Sequence, residues 1–306
     1  MIRRAALLTM AMLMAGAAAP APDAAVRPPI TGISHLAVYA SDPAASAHFY
    51  IVSLGARRGP DPEDKQGTRY YFSQTQFVEV LPLPAGHGAD RLAHVAYRTT
   101  DVAAMRAYLA AHGVKPVSAI EQGAGSRWFA VRDPEGNEVQ FVQTIAPAAA
   151  VPGAISNHMI HIGYMVHDRA AEDRFYRGLL GFRPYWHGAM KPGTTDWVSQ
   201  QVPDGHDWLE YMMVGPGSTT PLGKIDHDEL GVLDHLSLGV PNMEAAVTRL
   251  IAGNRLSPRH DGPQMGLDGK WQANLYDPDG TRIELMEFQP VTKPCCSPFT
   301  AASPTH

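Results

Sequence analysis

Four stretches of the chain share one arrangement of apolar and polar positions. They are His35-Leu-Ala-Val-Tyr-Ala-Ser-Asp42, His94-Val-Ala-Tyr-Arg-Thr-Thr-Asp101, His161-Ile-Gly-Tyr-Met-Val-His-Asp168 and His235-Leu-Ser-Leu-Gly-Val-Pro-Asn242. Each opens on His, runs through strand-like residues and reaches Asp or Asn seven positions later. Asp and Asn side chains accept a bond from a free backbone N–H, so they cap helix starts. A helical pattern follows each, and each stops at a glycine, Gly55, Gly113, Gly181 or Gly253. Glycine tolerates the left-handed conformation that ends helices. Short strand patterns come next. Arg69 to Leu83 holds two, the second being Phe77-Val78-Glu79-Val80-Leu81. In the second stretch two strand patterns flank the turn Asp133-Pro134-Glu135-Gly136, and in the fourth two flank Asp277-Pro278-Asp279-Gly280. In Asp-Pro-x-Gly, Pro presets one torsion and Gly permits the last, so each pair of strands is a hairpin. The prediction is an α+β chain of four tandem βαβββ modules.

The modules pair into two domains, residues 31–143 and 158–289, joined by an Ala/Pro/Gly-rich linker over 144–157. Val214 to Gly231 reads as a polar surface loop, or as a lid over a site. A Pro/Ser/Thr-rich tail, 290–306, is expected to be disordered; its adjacent Cys295 and Cys296 cannot staple distant segments. At the other end, Arg3 and Arg4 precede an apolar run, Ala5 to Ala15, too short to span a bilayer, and then Ala15-Gly16-Ala17. This is the pattern of a cleavable secretory signal peptide over 1–17, by the general or the twin-arginine route, and predicts a periplasmic or secreted protein. No later apolar run is long enough for a membrane span.

Composition narrows the partners. With 45% hydrophobic and 18% charged residues the chain is globular. A formal charge of −5 without any Lys/Arg stripe argues against nucleic acid. The expected partner is a small-molecule substrate, and the expected state a monomer or homodimer.

Tandem βαβββ units, with His opening the first strand and a carboxylate on the last, resemble the vicinal oxygen chelate superfamily. That superfamily includes glyoxalase I, methylmalonyl-CoA epimerase, extradiol ring-cleaving dioxygenases and antibiotic-resistance proteins. The resemblance covers 31–289. It rests on His161-Ile-Gly-Tyr-Met-Val with Phe175-Tyr176 and Leu180-Gly181-Phe182, and on Asp277-Pro-Asp-Gly-Thr-Arg-Ile-Glu284-Leu. It implies two glyoxalase-like domains, each with a curled mixed sheet around a metal cleft, the ligands coming from first and last strands. Carried over position by position, the second domain offers His161, Glu210, His235 and Glu284, spaced by 49, 25 and 49 residues. The first offers His35, Glu79, His94 and Gln140, spaced by 44, 15 and 46, with Gln140 where a Glu is expected and Glu138 two places early. The first domain is thus the weaker, degenerate site.

On alternating strands Glu210 points away from Leu209 and Tyr211, and Glu284 away from Ile283 and Leu285, so the carboxylates face the cleft while their neighbours pack. Two imidazoles and two carboxylates suit a divalent Zn, Ni, Co, Mn or Fe ion. The resemblance then implies an exported, metal-dependent, glyoxalase-like lyase or isomerase whose substrate chelates through adjacent oxygens, with Glu210 and Glu284 as catalytic acid–base groups. An extradiol-type dioxygenase is the alternative, with Fe(II) on His161, His235 and Glu284. Its signature, however, wants a Tyr where Asn274 stands and a His, and none occurs between Asp261 and Ile283. A non-catalytic binding protein is the third reading. His206 and His227 are further acid–base candidates. Tyr185, Trp186, Trp197, Trp208 and Trp271 are either core or an aromatic substrate pocket.

Overall fold

The computed structural model describes residues 26–221 and 231–305. The signal peptide expected over 1–17, His227 and the middle of the 214–231 loop lie outside the described residues.

Each module forms the predicted β-α-β-β-β unit. The first comprises β1 (Ile30–Ala40), α1 (Pro43–His48), β2 (Arg57–Pro60), β3 (Thr68–Tyr71) and β4 (Phe77–Pro82). The second comprises β5 (Leu92–Thr99), α2 (Val102–Ala111), β6 (Glu121–Gly123), β7 (Ser126–Arg132) and β8 (Glu138–Thr144). The third has β9 (Met159–Val166), α3 (Arg169–Asp173), β10 (Arg183–Gly188), β11 (Trp197–Gln201) and β12 (Trp208–Met213). The fourth has β13 (Leu233–Val240), α4 (Met243–Ala252), β14 (His260–Met265), β15 (Trp271–Tyr276) and β16 (Arg282–Glu287). Helices α1 and α3 each run on into a π-helical turn, Phe49–Ser53 and Arg174–Leu179.

The capping residues act as their chemistry dictates. Asp42, Asp101, Asp168 and Asn242 each accept backbone N–H bonds at the start of a helix. Gly55, Gly113 and Gly181 end the first three at φ of 72°, 81° and 78°. The fourth departs from expectation: Gly253 keeps φ at −90° and Asn254 takes the left-handed turn at 49°. Asn is one of the few side chains that tolerate that region, so the stop slips by one residue.

Each domain is one eight-stranded mixed sheet, and the two orders match: β2-β3-β4-β1-β5-β8-β7-β6 and β10-β11-β12-β9-β13-β16-β15-β14. In each, the opening strands of two modules run antiparallel at the centre, flanked by their own modules' last strands in parallel. All residues expected to hold metal sit on these four central strands. One buried cluster spans both domains, joining Leu36, Val38 and Tyr97 to Tyr164, Tyr176 and Phe182. Gln76 bridges the sheets, its side chain donating to Ile33 O and Met159 O and accepting from Met159 N. No helix among the described residues is long and apolar enough to cross a membrane.

The tail corrects an expectation. Residues 290–305 pack on the second domain as irregular but ordered chain: Thr300 N donates to Tyr185 O (3.0 Å), Cys295 N to Leu267 O (2.7 Å) and Gln289 Nε2 to Pro304 O (2.9 Å). Cys295 and Cys296 are disulfide-bonded to each other, so they link no distant segments. The Pro/Ser/Thr composition carries no apolar period, but one backbone bond and the Ser297 and Thr300 hydroxyls tie it to the edge strand β10, which sequence periodicity cannot reveal.

Candidate metal centre

Each of the four strand-opening histidines follows an irregularity in its ladder. Across β13 and β9, Leu233 pairs with Tyr164 and His235 with Gly163, leaving Asp234 as an extra residue. The same shift sets Ile160 aside before His161, Ser34 before His35 and Ala93 before His94. A bulge re-aims the following side chain. It lets Leu233 and Leu236 stay in the core while His235, lying between them, faces the opposite side of the sheet.

In the second domain these strands bring the expected quartet together. His161 Nε2 lies 2.7 Å from His235 Nε2 and 3.3 Å from Glu284 Oε2. Glu210 Oε2 is 3.9 Å from His161 Nε2 and 3.7 Å from His235 Nε2, and its other oxygen accepts Ser199 Oγ at 2.9 Å. One ligand atom each from His161, His235 and Glu284 fits within 4.8 Å. His161 stacks on Trp208, ring centroids 4.5 Å apart. The ring of His235 covers Gly163 so closely that a Cβ there would lie 2.3 Å from His235 Cε1. His235 Nδ1 lies 2.6 Å from Asp234 Oδ1 and 3.0 Å from an Arg282 nitrogen; in the tautomer that donates to Asp234, Nε2 offers its lone pair to the centre. Burial alone would raise the Asp234 carboxyl, but Arg282 and the His235 hydrogen bond hold it well below the carboxylate range.

The donor chemistry fits a divalent cation. Glu284 Oε2 is buried and accepts no hydrogen bond. Burial holds the His161 imidazole well below its ordinary pKa, with His235, Lys270 and Arg282 adding to the effect, so it is a neutral ligand. Glu210 is pushed up to about 7, by burial first and Glu284 next, against the pull of His235 and Ser199. A cation between these groups would relieve both carboxylates. The centre opens into a cavity of about 440 Å³ whose lining includes His235, Glu210, Glu284, Tyr185, Trp186, Trp197, Trp208 and Phe299. Four of the five singled-out aromatics therefore face the cavity; Trp271 lies outside its lining, 38% exposed. His206 is exposed and does not line it. Asn274 pairs with Glu284 across β15 and β16, buried, its Oδ1 without a hydrogen-bond partner.

The first domain repeats the geometry with a different charge. His35 Nε2 is 2.9 Å from His94 Nε2, His94 Nε2 is 3.3 Å from Glu79 Oε2, and His35 stacks on Phe77. Arg69 fills the equivalent of the Ser199 position, opposite Glu79. Its buried guanidinium lies 3.3 Å from Glu79 and 3.4 Å from Asp61, and also pairs with Glu63. Gln140 donates its amide Nε2 to Glu63 at 2.8 Å, and its buried Oε1 has no hydrogen-bond partner. One ligand atom each from His35, Glu79 and His94 also lies within 4.8 Å, but the fixed Arg69 cation against Glu79 repels a second cation, so this set fits a divalent ion less well than the second domain's.

Arg69, Ser199, Asp234 and Phe299 were not singled out by sequence. Asp234 carried a weak signal, an acid immediately before a ligand His; the other three depend on register or on the tail.

A profile of the Glyoxalase/Bleomycin resistance protein/Dioxygenase superfamily matches residues 32–141 and 158–285. No curated protein matches the chain by sequence. Solved structures share the fold. The substrate complex of homoprotocatechuate 2,3-dioxygenase from Brevibacterium fuscum superposes with a TM-score of 0.63 at 18% identity, covering 87% of this chain and 83% of that one. The 2,3-dioxygenase LapB from Pseudomonas sp. KL28 gives 0.64 at 16% identity, over 89% and 97%. Homoprotocatechuate 2,3-dioxygenase from Arthrobacter globiformis gives 0.64 at 18%, over 87% and 82%.

Proposed function

The chain belongs to the Glyoxalase/Bleomycin resistance protein/Dioxygenase superfamily, and from that premise we propose a divalent-metal-dependent lyase or isomerase centred in its second domain. Its substrate is a small molecule that chelates through adjacent oxygens. The observation that carries this reading is the pair of carboxylates, Glu210 and Glu284, set around one histidine pair at the floor of an aromatic-lined cavity. His161, His235, Glu284 and Glu210 would hold the ion, which when bound supplies a Lewis acid for a substrate carbonyl. Glu210, steadied by Ser199 beside the histidine pair, would be the carboxylate that takes up and returns the substrate proton.

Extradiol ring cleavage is the second reading, favoured by the names of the solved structures that share the fold and by the two-His, one-Glu set within 4.8 Å. Asn274 stands against it, because it occupies the position where the ring-cleaving pattern expects Tyr, and no His occurs between Asp261 and Ile283. The ligand set likewise counts against a purely sequestering role.

Glu210→Gln keeps the shape and removes the base. The lyase or isomerase reading expects it to slow solvent-deuterium exchange into α-hydroxy carbonyl compounds by ~10²–10⁴-fold. Catechol-dependent oxygen uptake that survives Glu210→Gln, with no exchange activity in the wild type, would replace this reading by the dioxygenase one. We place the protein outside the cytoplasm on the leader pattern alone; recovery of the protein in the cytoplasmic fraction with Met1 intact would overturn that placement.

A further inference from the structure

The second sheet is curled, so its two free edges, β10 and β14, stand on opposite sides of the cavity. The tail crosses from one side to the other. Val291 N donates to Gly269 O at 2.8 Å and Cys295 N to Leu267 O at 2.7 Å, beside the loop between β14 and β15. Trp186 Nε1 then donates to Cys295 O at 3.2 Å, and Thr300 N to Tyr185 O at 3.0 Å, on β10. Ser303 Oγ bonds the Tyr185 hydroxyl at 2.6 Å. This strap delivers Phe299 into the cavity wall.

Phe299 is the outer end of a run of rings. Its centroid is 4.8 Å from Tyr185, Tyr185 is 5.0 Å from Trp208, and Trp208 stacks on His161 at 4.5 Å. The wall from the tail to a ligand imidazole is therefore continuously aromatic. Three apolar residues, Met190, Met265 and Leu267, also line the cavity while 63%, 38% and 41% exposed, beside the polar Gln264 and Gln272. A cavity of about 440 Å³ far exceeds a three-carbon compound and falls in the range of pockets for larger organic ligands.

We infer that the C-terminal strap is part of the substrate site, and that Phe299 selects molecules carrying an aryl body beside their adjacent oxygens. The inference rests on the metal-chelating reading above. It predicts that the rings hold the body of the substrate while its oxygens reach the quartet.

Two unreactive chelators that differ only in their body test it: benzohydroxamate and acetohydroxamate, titrated calorimetrically into full-length protein loaded with Mn²⁺ or Zn²⁺. The wild type should bind benzohydroxamate at least about tenfold more tightly, because only its ring is buried on binding. Phe299→Ala should narrow that ratio by about threefold to tenfold, the worth of one aromatic contact, with acetohydroxamate unchanged. Phe299→Leu, which keeps most of the volume and guards against a folding defect, should give an intermediate ratio. Equal affinities for the two probes, or a ratio untouched by both variants, would overturn the inference while leaving the chelating site standing. Failure of both probes to bind the metal-loaded protein would overturn the chelating reading, and this inference with it.

Discussion

Two positions separate the two sites: Gln140 stands where the second domain has Glu284, and the residue facing the other carboxylate changes. Opposite Glu79 stands Arg69, and opposite Glu210 stands Ser199. In the first domain a guanidinium stands directly against the site carboxylate, whereas in the second the facing residue is an uncharged Ser and the fixed cations, Lys270 and Arg282, lie to the side. Arg69→Ser therefore strands Asp61, Glu63 and Glu79 in a buried pocket without a cation. Breaking a buried ion cluster from one side costs about 3–5 kcal/mol, so the variant should melt well below the wild type. Added Mn²⁺ or Zn²⁺ should recover part of that loss and raise the metal content above the wild-type value. A variant as stable as the parent, with no additional ion, would show that Arg69 plays no such part. The meeting of His161, His235 and Glu284, with Glu210 beside them, was legible as a placement, because His at the strand start and Glu on the last strand recur at equal spacing. Arg69 was not legible: an Arg on a short strand reads as solvated until the loop carrying Asp61 and Glu63 is seen to fold over it.

Among the elements, the bulges connect pattern to chemistry. In all four opening strands the buried positions are spaced by three and then by two: Ile33, Leu36 and Val38; Leu92, Val95 and Tyr97; Met159, Ile162 and Tyr164; Leu233, Leu236 and Leu238. A regular strand keeps one face at every second residue, so the step of three marks an inserted residue. That step was present in the sequence, yet simple alternation obscures it. At β13 the inserted residue is Asp234, which also orients His235. Asp234→Asn preserves the bulge and removes the anion. Second-shell changes of this kind typically cost about 10–100-fold in metal affinity, and that loss is expected with the far-ultraviolet circular dichroism unchanged. Unaltered affinity in a competitive chelator titration would refute the orienting role. The strap over 290–305 was hidden for a different reason: it forms by bonding to an edge, and such bonds leave no period in the sequence that makes them.

At the scale of the molecule, two matched sheets share one core, and repetition in the sequence was enough to anticipate them. Caps, glycine stops and Asp-Pro-x-Gly turns all favour the same module, so local and global preferences agree. Repetition could not say which copy works, since that depends on burial and charge around similar ligands. We propose that only the second domain holds a resident divalent ion. Elemental analysis of the full-length protein, purified without added metal and compared with His235→Ala and His35→Ala, tests it most directly. The account predicts about one ion per chain, lost in His235→Ala and retained in His35→Ala. Two ions per chain with one lost in His35→Ala, or an ion that survives His235→Ala, would contradict it.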